Sequence, residues 1–145
     1  MKFIIIKSVD KPYSDDPDSF ISWFCKSFGL ESEIENSDSI EKDLLKQFIN
    51  AALAGKGISS SDLTENFKIA RTTIIYHLNR LIEAGWIVKR GRMYYLRGKE
   101  LSDVIEEIEY DINREMMKML DIAKQFDRLS KSRSENKKFK KVKIE

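Results

Sequence analysis

Residues 99–126 run for 28 positions without a proline or glycine, and they carry Leu101, Val104, Ile105, Ile108, Ile112, Met116, Met119, Ala123 and Phe126 at helical spacing. That spacing predicts one continuous amphipathic helix. At 1.5 Å per residue it would extend ~42 Å, longer than a small domain is wide. A chain of 145 residues has room for one domain with appendages. Most of the apolar stripe therefore has no cover in its own domain. Leu101, Ile105, Ile108, Ile112, Met116, Met119 and Phe126 are expected to meet a partner helix in a dimer, the alternative being that the aromatic helix at 17–28 folds back to cover them within one chain.

The preceding residues are punctuated into short elements. Ile40, Leu44, Leu45, Phe48, Ile49, Ala52 and Leu53 follow helical spacing, and Gly55-Lys56-Gly57 ends that helix after residue 53. Ser59 is placed to cap a short helix reaching residue 66, with Asp62 as its reciprocal partner. A tight connection over 67–70 leads into a helix at 71–84, closed by Gly85 and burying Ile74, Leu78, Leu81 and Ile82. Two apolar segments of strand character, 86–90 and 93–97, flank Gly91-Arg92, a two-residue hairpin turn with glycine first. Within that hairpin Trp86, Val88, Tyr94 and Leu96 are expected to pack inward, and Gly98 separates it from the long helix.

Residues 1–39 read as an extension of this unit. Positions 1–7, with Phe3, Ile4, Ile5 and Ile6, predict a short strand. Asp16-Pro17-Asp18 is a strong helix start, and the helix should run to Phe28 and stop at Gly29. Phe20, Ile21, Trp23, Phe24 and Phe28 make that helix too apolar to stand in water. Residues 31–39 read as an acidic linker, and the Lys/Arg/Ser-rich 128–145 read as a disordered basic tail.

Net charge is only +2, but it is strongly blocked. Residues 71–98 hold six basic groups against Glu83 alone, while 99–127 hold nine acidic groups against four basic ones. The tail has eight basic groups against two acidic. A +5 block over a helix and hairpin points toward a polyanionic partner.

Other function classes find little support. One cysteine, Cys25, and one histidine, His77, cannot assemble a conventional zinc site or a disulfide. Neither a metal nor a cofactor is expected, nor any enzymatic activity. Cys25 lies in the aromatic helix as a buried thiol, and Gly55-Lys56-Gly57 lacks the Ser/Thr of a phosphate loop. No segment is apolar enough for a membrane span, and the cysteine usage fits a reducing cytoplasm.

The stretch ISSSDLTENFKIARTTIIYHLNRLIEAGWIVKRGRMYYLRG, residues 58–98, resembles the winged helix-turn-helix domain of ArsR-like and MarR-like prokaryotic transcription regulators, of an archaeal type. The resemblance takes in residues 40–98 with the preceding helix. It implies a mainly α fold with a β-hairpin, double-stranded DNA as partner, and a homodimer joined through the C-terminal helix. It also implies that helix 71–84 enters the major groove while the wing, 86–97, follows the backbone or minor groove.

The residue types fit that role. With Ile74, Leu78, Leu81 and Ile82 inward, Arg71, Thr72, Ile75, Tyr76, Asn79 and Arg80 lie on or near the outer face, without a carboxylate among them. Arg71 and Asn79 can make bidentate base contacts, Thr72 and Tyr76 can bond phosphates, and Ile75 can meet a thymine methyl. Thr73 in the first turn can bond a phosphate or its own backbone. Lys89, Arg90 and Arg92 would carry the wing contacts. Two departures from this reading stay open: a winged-helix protein–protein module, and an RNA-binding module that uses the basic tail. Ala70, a poor N-cap, weakens the start of the recognition helix by ~1 kcal/mol.

Overall fold

The computed structural model describes residues 4–30 and 39–135. The elements, in chain order, are α1 (Pro17–Ser27), α2 (Ile40–Leu53), β1 (Ile58–Ser59), α3 (Ser60–Phe67), α4 (Arg71–Glu83), β2 (Ile87–Arg90), β3 (Met93–Leu96) and α5 (Leu101–Glu135). The chain divides into two units, Met1–Ile108 and Glu109–Glu145. The fold class is the expected one, mostly helical with a small antiparallel sheet and a long C-terminal helix.

Helix starts follow their caps. The Asp16 carboxylate accepts from the Ser19 amide at 2.8 Å, with Pro17 at the first helical position. Ser39 opens α2 by accepting from the Lys42 amide at 3.2 Å, and Ser59 opens α3 by accepting from the Asp62 amide at 3.1 Å. Ala70 gives α4 no side-chain cap. The tight connection before α4 is made by Lys68, which ends α3 in the left-handed region at φ 54°. A non-glycine residue there carries strain, accepted because the turn must close within three residues.

The hairpin has the expected register, Arg90 opposite Met93 and Ile87 opposite Leu96. Gly91, the first loop residue, takes φ 61°, the sign a glycine-first two-residue turn requires. The sheet order β1-β3-β2 adds an unexpected strand: Ile58 and Ser59 pair with Tyr94 and Met93. Gly57 permits this approach, since a Cβ there would fall 2.7 Å from the Tyr95 ring.

The core of the first unit gathers Leu44, Leu45 and Phe48 from α2, Leu63 from α3, and Ile74, Leu78 and Leu81 from α4. Trp86 and Ile87, together with Val104 and Ile108 from the first turns of α5, complete it. Tyr94 and Leu96 are buried as expected, while Val88 is half-buried. Helix α1 belongs to this unit: Phe24 and Phe28 meet the Trp86 ring edge-on at centroid distances of 5.7 and 5.0 Å. Cys25 is fully buried beside them.

Two expectations at the ends are corrected. Residues 4–7 form no strand; the Lys7 amide bonds the Ser27 carbonyl at 2.7 Å instead, anchoring an irregular segment on α1. Their β-branched composition lacks a sheet edge to pair with. At the other end, residues 128–135 are helical rather than disordered. Arg128, Leu129 and Lys131 are good helix formers, no glycine or proline interrupts them, and cations near a helix C-terminus oppose its dipole favourably. The remaining tail, 136–145, and the acidic segment 31–38 lie outside the described residues.

The second unit is, over its described residues, a single stretch of α5. Its polar side is laced by Arg114–Asp111 and Lys118–Glu115 pairs, each at 3.1 Å, and by a Gln125–Asp121 bond at 2.9 Å. Met116, Met119, Ile122, Phe126 and Leu129 are all exposed.

Candidate nucleic-acid interface

Helix α4 has two unlike sides. Ile74, Leu78 and Leu81 are fully buried, and Arg71, Thr72, Tyr76 and Asn79 are exposed on the opposite side. Thr73 and Ile75 are half-buried. The 3.6-residue period puts Thr72, Tyr76 and Asn79 along one line, with Ile75 and Arg71 flanking it. Glu83, also exposed, lies one turn beyond Asn79, so the outer face ends in a carboxylate.

The structure separates Arg80 from this set. Its guanidinium donates to Glu41 Oε1 at 2.6 Å and to the Gly29 carbonyl at 3.3 Å, so it is directed toward α2 and the end of α1. His77, one turn earlier, has Nδ1 2.5 Å from the same Glu41 oxygen. A carboxylate oxygen can only accept, so this bond is made by the tautomer that carries its hydrogen on Nδ1.

The wing side chains Lys89, Arg90 and Arg92 are exposed. Lys89 Nζ lies 5.6 Å from the Tyr94 ring centre and the Arg90 guanidinium 5.7 Å from that of Tyr95. These cation–π contacts steady the stems of both side chains while leaving their charge accessible. Arg92 lies in the turn itself. Arg97 faces inward, 3.5 Å from the Gly85 carbonyl and 3.7 Å from Glu107.

Residues 49–88 match the family model of the winged helix-turn-helix DNA-binding domain. The match runs from α2 through α3 and α4 into β2, and β3 supplies the rest of the wing. Within the first unit, the order helix, helix, helix and hairpin over α2 to β3 is that of a winged helix-turn-helix fold. No curated protein and no solved structure matches the chain. α4 stands at the position that carries the recognition helix in winged helix-turn-helix domains, and the β2–β3 hairpin at the position of the wing.

Among the described residues, no group of three or more His, Cys, Asp or Glu side chains is clustered to hold a metal ion, and no helix is long and apolar enough to cross a membrane. Glu41 is absent from the residues that sequence type alone singles out, although the sequence carries a signal for it. Positions 41, 44, 45 and 48 share one helical face, so a carboxylate stands at a core position of α2. A charge at a core position needs a buried partner, and His77 and Arg80 were the candidates.

Proposed function

We propose that this chain is a sequence-specific double-stranded DNA-binding transcription regulator of the ArsR-like or MarR-like kind, acting as a homodimer. The observation that carries the reading is the outer face of the recognition helix: Arg71, Thr72, Tyr76 and Asn79 exposed together opposite a fully buried apolar face. Arg71 and Asn79 are the base readers, through bidentate bonds at major-groove edges. Thr72, Thr73 and Tyr76 bond phosphates, and Ile75 meets a thymine methyl. Lys89, Arg90 and Arg92 on the wing contact the backbone or a narrow minor groove.

Dimerisation runs through the second unit. Val104 and Ile108 belong to the core of the first unit, and Ile112, Met116, Met119 and Phe126, farther along the helix, are the residues we assign to a partner copy. Exposed apolar groups repeating over several turns of one helix support pairing with a like helix. Two-fold symmetry would then match a palindromic site.

Selection from a random-sequence duplex pool tests the reading directly. The full chain should enrich a palindromic sequence whose two halves are spaced by about one helical turn. Enrichment of single-stranded RNA over duplex DNA, or of neither, would overturn it.

A further inference from the structure

We propose that Glu41 is the positioning residue of the recognition helix: one buried carboxylate oxygen holds His77 and Arg80, and through Arg80 ties the N-terminal segment to the element that reads DNA. The inference rests on the DNA-binding reading above and deepens it.

The Glu41 side chain is 3% exposed, and its Oε1 accepts from His77 Nδ1 at 2.5 Å and from Arg80 at 2.6 Å. A carboxylate so removed from water is tolerated only with good partners, and both partners come from α4. His77 and Arg80 are three residues apart, hence neighbours on one face of that helix. Two bonds from one fixed point to adjacent turns oppose rotation of α4 about its axis as well as sliding along it. Apolar contacts from Ile74, Leu78 and Leu81 lack that directionality.

Arg80 adds a third element. The same guanidinium reaches the Gly29 carbonyl at 3.3 Å, just past the end of α1. Its planar fork fixes the angle between the two acceptors, which a lysine ammonium cannot do. Gly29 is itself held: it adopts φ 66°, the Ile5 side chain lies 3.4 Å from where its Cβ would be, and Leu30 bonds back to Cys25 at 2.8 Å. Asp18 pairs with Lys42 at 2.9 Å and with Lys46, joining α1 to α2 a second time. The recognition helix is thus braced from behind by α2 and the N-terminal segment together.

Base-edge bonds from Arg71 and Asn79 depend on placement within a fraction of an ångström, whereas long basic side chains on a phosphate backbone adjust freely. Loosening the brace should therefore cost discrimination before it costs general affinity. Arg80 acts in this account through Glu41 and not through a phosphate.

The test uses the full chain, the duplex that wild-type protein enriches from a random pool, and a shuffled duplex of equal length. Glu41→Gln and Arg80→Gln should each lower the ratio of the two affinities by about tenfold, with affinity for the shuffled duplex unchanged within about twofold. The double variant should do no worse than the poorer single one, because both break one brace. Arg80→Lys should fail to restore the ratio, since it keeps the charge but not the fork. His77→Gln, at a half-buried position, should lower the ratio severalfold and serves if Glu41→Gln does not fold cooperatively.

Equal losses on both duplexes in Arg80→Gln, repaired by Arg80→Lys, would mean Arg80 touches phosphate and would overturn the proposal. An unchanged ratio in Glu41→Gln, or in His77→Gln if the former is unfolded, would overturn it as well. A wild-type chain that enriches no duplex would sink the DNA-binding reading itself, and the brace with it.

Discussion

Phe28 meets Trp86 edge to face, with ring centroids 5.0 Å apart and planes at 85°. The contact joins the C-cap residue of α1 to the residue just before β2, 58 positions later in the chain. Trp86 is fully buried, and Phe24 also meets its ring edge-on at 5.7 Å. Helix α1 is therefore part of the core of the first unit and not an appendage to it.

Phe28→Ala should lower the unfolding free energy by ~2 kcal/mol, less than for a fully buried ring because Phe28 is half-buried. Urea unfolding monitored by tryptophan emission measures this, with a red shift expected as water reaches Trp86. A change below a few tenths of a kcal/mol would show that α1 is not needed for the core.

This contact also marks the limit of what the sequence makes legible. The capped starts at Asp16 and Ser59, the recognition helix and the Gly91-Arg92 turn are local events, set by residues within a few positions of one another, and all could be read directly. The stickiness of Phe24 and Phe28 was equally plain, but what covers them was not. Trp86 lies far along the chain, and no periodicity points from one to the other. Arg80 illustrates the same gap within the site. By residue type it suits a phosphate contact, and only the distant Glu41 carboxylate and Gly29 carbonyl explain its inward direction. β1 escaped notice because two residues are too few to display alternation.

The wing and the recognition helix should separate in a salt titration. Arg71→Ala and Asn79→Ala should each cost about 1–3 kcal/mol on the enriched duplex and little on a shuffled one. Arg92→Ala should weaken both duplexes and reduce the slope of log affinity against log salt by about 1. Arg71→Ala acting equally on both duplexes would contradict its assignment as a base reader.

Charge placed on the distal stretch of α5 should dissociate the dimer without unfolding the domain. Met119→Glu with Phe126→Glu is the suitable pair, since both are exposed on the described chain, at 63% and 55%, whereas Ile108 is buried in the first unit at 2%. Sedimentation should report a dimer for the wild type at ~10⁻⁵ M and a monomer for the variant, with circular dichroism of the winged domain retained. A wild-type monomer at that concentration would refute dimerisation through this helix.

Acid stability offers a test of the junction between α1 and α2. Hydrogen bonds from Lys46 and then Lys42 hold the Asp18 carboxyl below the usual carboxylate value. A depressed value in the folded state means the contribution is fully present above the unfolded value, ~3.9, and is lost as pH falls through the lower folded one. Asp18→Asn should therefore make the unfolding midpoint in urea less dependent on pH below ~4, with a modest loss at neutral pH. Asp18 is exposed, so the effect belongs to the small class of surface pairs. An acid limb identical to wild type would remove Asp18 from that role.

Lys68 allows stability and binding to be pulled in opposite directions. It occupies the left-handed region at φ 54° between α3 and α4, where a β-carbon is disfavoured, and it is exposed beside the start of the recognition helix. Lys68→Gly relieves the backbone strain, partly offset by the greater freedom glycine gives the unfolded chain, so the net gain should be ~0.5–1 kcal/mol. In the proposed binding mode the same change removes a cation beside the DNA, so affinity should fall on specific and shuffled duplexes alike, with a shallower salt slope. Urea midpoints and a salt titration on one preparation measure both effects. A loss of stability would mean that the Lys68 side chain holds the turn by a contact worth more than the strain, and an unchanged salt slope would put the turn away from the phosphate backbone.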